Sequence, residues 1–210
     1  DLALRAQLSQ QDLQALAAAD ALASLSGHRR QQMWDAAAQH AAPPLWRDVP
    51  VHEAPLQLPE APEGEEILFD YAATGLTLRR HPLALLRPRL ARWRLQTALQ
   101  LHNAAHGRKV RACGIVTVRQ RPGTAKGTMF VTLEDETGPV NVIVWPALVD
   151  VWRNALLRSQ LLAVEGVWQC SPGALGSKAM VRHLVAQRFR DLTPLLGRMA
   201  QALQGSRDFH

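Results

Sequence analysis

Hydrophobic positions recur at two different spacings along the chain, and the change comes near residue 108. Before that point the apolar residues follow a helical spacing of three to four, as at Leu13, Leu16 and Ala17. Ser9 is followed three residues later by Asp12, which is typical of a helix start, and Ser26 with Gly27 divides the stretch into two predicted helices. We therefore predict a helical segment over residues 1–42.

Prolines and acidic residues dominate the next stretch. Six prolines lie between residues 43 and 66, and the acidic residues from Asp48 to Asp70 have no Lys or Arg among them. Because proline lacks an amide donor and restricts the residue before it, we predict an extended acidic linker over 43–70 without a packed core. Residues 71–107 are rich in Leu and Arg and predict a basic helical connector interrupted at Pro82 and Pro88.

From residue 108 onward the hydrophobic period is about two, which is typical of β-strands. Strands are predicted over 109–119, 128–134, 139–145, 160–169 and 179–188, with a helical segment over 146–157 between the third and the fourth. This order is that of an OB-fold, a small barrel that binds oligonucleotides through strands 2 and 3 and the loops after strands 1 and 4. We predict an α+β chain: the helical segment, linker and connector, a five-stranded OB-fold β-barrel over 108–188, and a short helical tail over 189–210.

The charge is concentrated in one part of the chain. The net charge is +6, and 12 of the 24 Lys and Arg residues lie between Asp70 and Glu134, where no acidic residue occurs. Such a run indicates an acidic partner such as nucleic acid. The arginine series from Arg79 to Arg94 either follows DNA phosphates or forms a solvated face that pairs with the acidic linker, and the sequence leaves both open.

The loop over residues 119–127, RQRPGTAKG, carries three cations and two glycines, which suits a phosphate backbone. On the strand after it, alternation directs Met129, Val131 and Leu133 to the core and leaves Phe130 outside, where its ring is able to stack on a base. The predicted DNA contacts are Arg111, Arg119, Arg121, Lys126, Phe130, Lys178 and Arg182. Trp145 shares the outer parity, but Pro146 directly follows it, so its role is left undecided.

No cluster predicts catalysis, a metal site or a cofactor in this chain. Glu134, Asp135 and Glu136 are consecutive in a turn, so their side chains diverge, and turn hydrogen bonds explain Asp135. His102 and His106 have the spacing of zinc ligands on a helix but lack a third ligand.

Two further features concern the compartment. Cys113 and Cys170 have neither disulfide nor zinc spacing, and we expect both to be buried as small hydrophobes. With no apolar run near the roughly 20 residues of a membrane span, and no secretion signal, we expect a cytoplasmic protein.

Long blocks of the sequence resemble the error-prone bacterial C-family DNA polymerase, a relative of the replicative polymerase III alpha subunit that works in the damage-induced mutasome. The blocks are VTVRQRPGTAKGTMFVTLEDETGPVNVIVWP at 116–146, DYAATGLTLRRHPLALLR at 70–87, LSGHRRQQMWDAAA at 25–38 and SRDFH at 206–210. The resemblance implies the C-terminal, non-catalytic region of a DNA-directed DNA polymerase for error-prone translesion synthesis. The polymerase carboxylates and their magnesium would then lie upstream, and residues 1–42 would end a helix-hairpin-helix-like region, although Gly27 stands alone where paired glycines are usual.

The resemblance also implies protein partners. These are a catalytically inactive Y-family polymerase homologue, a recombinase-like accessory protein and, through them, the sliding clamp. An alternative function is therefore a docking module that recruits these partners without touching DNA, through the apolar tail residues Leu192, Leu195, Leu196 and Met199. Salt separates the two hypotheses, because contacts with phosphates weaken as salt rises and contacts through leucines do not.

Overall fold

A computed structural model describes residues 2–38, 56–172 and 180–201, and the chain divides into two units, Asp1–Arg79 and Arg80–His210. The described part of the first unit is helical. Its helices are α1 (Leu2–Arg5), α2 (Gln10–Ala18), α3 (Ala23–Ser26), α4 (Arg29–Ala38) and α5 (Glu63–Thr74). Leu13, Ala17 and Ala36 form a small buried cluster between α2 and α4.

The predicted start and break in this unit are both confirmed. The Ser9 hydroxyl accepts a hydrogen bond from the Asp12 amide at 3.2 Å, and the Asp12 carboxylate accepts one from the Ser9 amide at 2.9 Å. These reciprocal bonds satisfy two amides that a helix start leaves unpaired. Gly27, with φ 74°, ends α3 and separates it from α4.

The prediction of an extended linker is wrong for residues 63–70, which belong to α5. The prolines stop at Pro62, and Glu63, Glu65 and Glu66 lie in the first turn, where carboxylates favour the positive end of the helix dipole. Ile67 is fully buried, so this stretch does contribute to a packed core. Residues 39–55 lie outside the described part of the chain.

Two carboxylates of α5 surround a buried arginine. Arg29 is 1% exposed; its guanidinium donates to the Glu66 carbonyl at 3.0 Å and is paired with Asp70. Arg79 adds a second guanidinium, 2.9 Å from Asp70 and 2.8 Å from Asp20. Burial raises the pKa of Asp70, but hydrogen bonds from Thr77, Arg29 and Arg79 outweigh it and hold the pKa below its usual value. Arg79 therefore pairs with the acidic stretch, one of the two roles that the sequence left open.

The second unit holds the rest of the helices and all the strands of the described chain. Its elements are α6 (Pro82–Arg92), α7 (Ala98–His102), β1 (Lys109–Gln120), β2 (Met129–Asp135), β3 (Gly138–Val144), α8 (Pro146–Val151), α9 (Arg153–Arg158), β4 (Leu161–Pro172), β5 (Met180–Asp191) and a 3₁₀ turn (Thr193–Leu196). The predicted interruption at Pro82 corresponds to the start of α6, since a proline is tolerated in the first turn. The predicted interruption at Pro88 is wrong: the ring is exposed and α6 continues to Arg92.

The five strands close into a barrel in the order β1-β2-β3-β5-β4, in which β3 and β5 are parallel and the other pairs are antiparallel. β1 pairs with β4 along its first half and with β2 along its second, with a bulge between Val116 and Val118. The predicted alternation is confirmed: Met129, Val131 and Leu133 of β2 and Val140, Val142 and Val144 of β3 are all buried in the barrel core. The predicted OB-fold barrel is therefore present.

The cysteines and the helix lengths complete this description. Cys113 is buried, and burial raises the pKa of its thiol to about 12, so the thiol stays protonated. Cys170 is half-buried against the barrel core. Within the described ranges, no helix combines the length and the apolar character needed to span a bilayer.

Candidate nucleic-acid interface

The outer face of β1, β2 and β3 presents a row of side chains fixed by the strand register. Gln120 pairs with Phe130 and Phe130 with Ile143, so these three side chains lie side by side across the sheet. The parallel pairing of β3 with β5 adds Val185 beside Ile143. Phe130 is 39% exposed, while Ile143 and Val185 are half-buried. The result is an apolar strip on the outside of the barrel with an exposed ring in it.

Trp145 extends this strip. It follows Ile143 by two residues and therefore shares its side of the sheet, and it is 53% exposed. Pro146 does not turn the ring inward, because it only begins α8, for which Trp145 is the N-cap. The alternation of β3 was the one sequence signal for this residue, and the structure agrees with it.

The loop between β1 and β2 carries two exposed cations and joins strand positions next to Phe130, since Gln120 pairs with Phe130 and Met129 precedes it. Arg121 and Lys126 are both exposed, and β2 begins three residues after Lys126. Lys126 (φ 48°) and Gly127 (φ 84°) turn the chain back through the left-handed region, which glycine adopts without cost. Arg121 lies over Gly127, with its Nη2 3.4 Å from the point where a Cβ would stand. We call Arg121, Lys126, Phe130, Ile143 and Trp145 the strip and loop surface.

Arg119, another predicted DNA contact, bonds to backbone carbonyls of the barrel unit. It pairs with the inward-facing Val131, and its Nε donates to the Leu156 carbonyl at 2.6 Å while its Nη2 donates to the Ser159 carbonyl. These carbonyls lie at the end of α9, where helix carbonyls have no partner within the helix. Arg119 therefore holds α9 against the barrel, although its side chain stays exposed.

The structure does not bring Arg111 or Arg182 to this surface. Arg111 is on the part of β1 that pairs with β4, and its Nε is 3.0 Å from Glu165. Arg182 has the inward parity of Leu184, and its Nη1 is 3.1 Å from Nε2 of His102. Lys178 lies outside the described residues. Of the seven predicted DNA contacts, the structure groups Arg121, Lys126 and Phe130.

The start of the predicted tail belongs to the barrel. β5 runs to Asp191, and the Leu192 amide donates to the Leu161 carbonyl at 2.9 Å. Leu192 and Leu196 are only 4% and 5% exposed, which corrects the prediction that they bind a partner. Leu195 and Met199 are half-buried, and partner contact through them stays a prediction.

The acidic turn after β2 has a structural role. One oxygen of the buried Asp135 accepts from the Thr137 amide at 2.7 Å, and the other accepts from the Ala98 amide at the start of α7 at 2.8 Å. Burial raises the pKa of Glu136, but its hydrogen bond with Arg87 and the charge of that arginine outweigh burial and lower it. The predicted turn bonding of Asp135 is confirmed, and it also anchors α7.

The histidines are not arranged as metal ligands. α7 ends at His102, so His106 is not on the same helix, and its Nδ1 contacts the backbone of Cys170. Within residues 2–38, 56–172 and 180–201, no group of three or more His, Cys, Asp or Glu side chains is placed to hold a metal.

Comparison with known proteins first defines the class of the barrel. Residues 110–192 match the family described as "OB-fold nucleic acid binding domain". Together with the closed barrel of order β1-β2-β3-β5-β4, this match makes the segment an OB-fold domain.

The whole chain is also similar to particular proteins. It is 54% identical over 216 aligned residues to the error-prone DNA polymerase of Ralstonia nicotianae, and 52% identical over 213 to that of Bordetella parapertussis. Both alignments cover all of this chain, which spans about one fifth of the length of these relatives (19% and 20%). Among solved structures, the asparaginyl-tRNA synthetase of Pyrococcus horikoshii is 20% identical over 47% of this chain and 23% of that one, with a TM-score of 0.38. The resemblance to error-prone DNA polymerases is thus confirmed along the entire chain.

Proposed function

We propose that this chain is a non-catalytic, DNA-binding part of an error-prone DNA polymerase, and that the strip and loop surface holds single-stranded DNA. The observation that carries the proposal is the row of exposed or half-buried apolar side chains, Phe130, Ile143 and Trp145, bordered by the cations Arg121 and Lys126. Aromatic rings beside a basic loop are the two parts that single-strand binding needs.

The chemistry of the surface follows from these groups. Bases of an extended strand stack on Phe130 and Trp145, an interaction worth roughly 1–3 kcal/mol per base. Arg121 and Lys126 contact the phosphates and release counterions, which makes the affinity depend on salt. Every base has an aromatic face and every phosphate the same charge, so the surface accepts any sequence, as a template-binding element must.

The similarity over the whole chain supports a wider proposal for the protein of which this chain covers about a fifth. That protein would be a cytoplasmic DNA-directed DNA polymerase for damage-induced, error-prone translesion synthesis. Its magnesium-dependent nucleotidyl transfer would take place in parts of the relatives that this chain does not cover. Its protein partners would be the inactive Y-family homologue, the recombinase-like accessory protein and the sliding clamp reached through them.

Recruitment of those partners without DNA binding is the competing function for the fragment. The burial of Leu192 and Leu196 weighs against it, because two of the four residues proposed to bind a partner are packed into the barrel unit. Leu195 and Met199 are what the described tail still offers.

A salt titration tests the proposal. Fluorescence anisotropy of a labelled single-stranded oligonucleotide would be measured over a salt series for the wild type and for Arg121→Ala/Lys126→Ala. Losing two phosphate contacts should flatten the slope of log affinity against log salt by about 1.4, at about 0.7 per contact. The charge-matched control is Arg153→Ala/Arg158→Ala, two exposed cations of α9, which should keep the wild-type slope. Binding with no salt dependence, or equal slopes in all three proteins, would contradict the proposal.

A further inference from the structure

A second basic surface lies where the segment after α6 crosses the barrel, and it shares no residue with the strip and loop surface. Two adjoining depressions of about 290 and 590 Å³ share Leu95, Arg111 and Glu165 in their walls. Their charged lining residues are six cations and one carboxylate: Arg94, Arg108, Lys109, Arg111, Arg188, Arg190 and Glu165. We call this surface the connector groove.

The strand register explains why the groove keeps its positive charge. Glu165 on β4 is opposite Arg111 on β1 and opposite Arg188 on β5, so one carboxylate lies between two arginines. Its ion pair is with Arg111, at 3.0 Å. Of the described carboxylates, none is within ion-pair distance of Arg94, Arg108, Lys109 or Arg188. The field of the groove is therefore open to an anion from outside.

The backbone beside the groove and one of its cations, Arg190, are held in place before any ligand arrives. The Gln96 amide donates to the Arg111 carbonyl at 2.8 Å, which ties the segment after α6 to β1. Arg94, two residues before Gln96, has a φ of 58°. The guanidinium carbons of Arg89 and Arg190 lie 5.4 and 5.1 Å from the centre of the Trp93 ring. Stacked guanidinium groups lose less freedom when they bind, which favours affinity.

We propose that the connector groove binds the phosphate backbone of double-stranded DNA. The groove offers charge without a stacking platform, because guanidinium groups already lie over the Trp93 ring and the other ring in its lining, Phe189, is only 5% exposed. A duplex suits such a surface, since its bases are stacked inside and it presents one negative charge per roughly 1.7 Å of axis. Single strands, whose bases need a face to stack on, are bound by Phe130 and Trp145 on the other surface.

This site uses different residues from the single-strand site, so each can be removed alone. Anisotropy of a labelled blunt-ended duplex would be measured over a salt series with the 210-residue chain. The variants are Arg108→Ala/Arg188→Ala in the groove, Arg121→Ala/Lys126→Ala in the loop and the control Arg153→Ala/Arg158→Ala. The groove variant should flatten the duplex salt slope by about 1.8, at about 0.9 per phosphate contact, and leave single-strand binding near wild type. The loop variant should flatten the single-strand salt slope and leave duplex binding near wild type.

A charge-keeping variant guards against a folding artefact. Arg108→Lys/Arg188→Lys retains both point charges and should bind the duplex within a few-fold of wild type, because each contact is to phosphate and not to a base edge. The far-UV circular dichroism spectra of all variants should match the spectrum of the wild type.

The outcomes separate the two proposals. If the groove variant and the control both bind the duplex as the wild type does, or if both lose the same duplex affinity, the groove is not a duplex site. This holds whatever the result with single strands. If single strands fail to bind while the duplex still depends on Arg108 and Arg188, the inference stands and the proposed single-strand function falls. If the wild type does not bind the duplex even at low salt, the inference about the connector groove is overturned, and the single-strand proposal is unaffected.

Discussion

At the residue scale, the charged side chains of this protein divide into partners of one another and groups left for a ligand. Arg29, Arg79 and Arg87 are all paired with carboxylates, and Arg119 is bonded to helix-end carbonyls. Arg121 and Lys126 remain exposed in their loop. A run of arginines in the sequence is therefore not a binding site by itself, because contacts that are distant in sequence decide which cations are used internally.

Arg29 gives the first prediction at this scale. Arg29→Met should lower the stability of the first unit by about 3–5 kcal/mol, because removing one member of a buried ion cluster leaves carboxylates without their charge partner. Hydrogen exchange measured by mass spectrometry should show α4 and α5 losing protection. The matched change Arg30→Met removes a 35%-exposed guanidinium paired with Glu65 at 2.6 Å and should cost less than about 1 kcal/mol. Equal loss of protection in both variants would show that burial of Arg29 does not matter.

At the element scale, barrel closure depends on a close approach of β4 and β5. The register shifts between Glu165 and Gly166, and a Cβ on Gly166 would overlap the Val185 carbonyl oxygen. A β-carbon therefore cannot be accommodated without moving backbone. The same bulge sets the side to which Glu165 points, and with it the connector groove.

Gly166→Ala should therefore destabilise the barrel by about 1–3 kcal/mol, the usual cost of overpacking. Urea unfolding followed by intrinsic fluorescence would measure it. Gly123→Ala is the control, since no heavy atom lies within 4 Å of its added carbon, and it should unfold at the wild-type midpoint. A Gly166→Ala protein as stable as the wild type would mean that β4 and β5 do not approach this closely.

Some elements were predictable from sequence because their signals are local. The second strand, predicted over 128–134, is Met129–Asp135 in the structure, since alternation and turn chemistry need only neighbouring residues. The same alternation found the outward position of Phe130. The start of α5 was missed because prolines precede it and because Glu66 and Asp70 contact Arg29, which lies 37 and 41 residues earlier.

The role of each arginine needed the fold. Arg119 bonds to a carbonyl 37 residues away, and Arg111 pairs with Glu165 54 residues away. No spacing rule in the sequence reports such contacts, so the sequence placed Arg119 and Arg111 in one DNA surface with Arg121. The connector groove was hidden for the same reason, because β1, β4, β5 and the segment after α6 meet only in the closed barrel.

At the scale of the whole molecule, the second unit presents two basic surfaces of different chemistry. The strip and loop surface combines rings with two cations, and the connector groove has cations beside a covered ring, Trp93, and a buried one, Phe189. A single strand and a duplex are the two forms of DNA that meet at a primer end. One barrel with both surfaces could therefore hold the template on each side of that junction.

The most direct test of the central claim is the affinity of Phe130→Ala for a single-stranded oligonucleotide at one fixed, moderate salt concentration. Loss of a stacking ring should weaken binding about 10-fold, at roughly 1.4 kcal/mol per factor of ten. Val151→Ala, which removes a 75%-exposed apolar side chain from α8, should bind as the wild type does. Wild-type affinity in Phe130→Ala would contradict the assignment of single-strand binding to this surface.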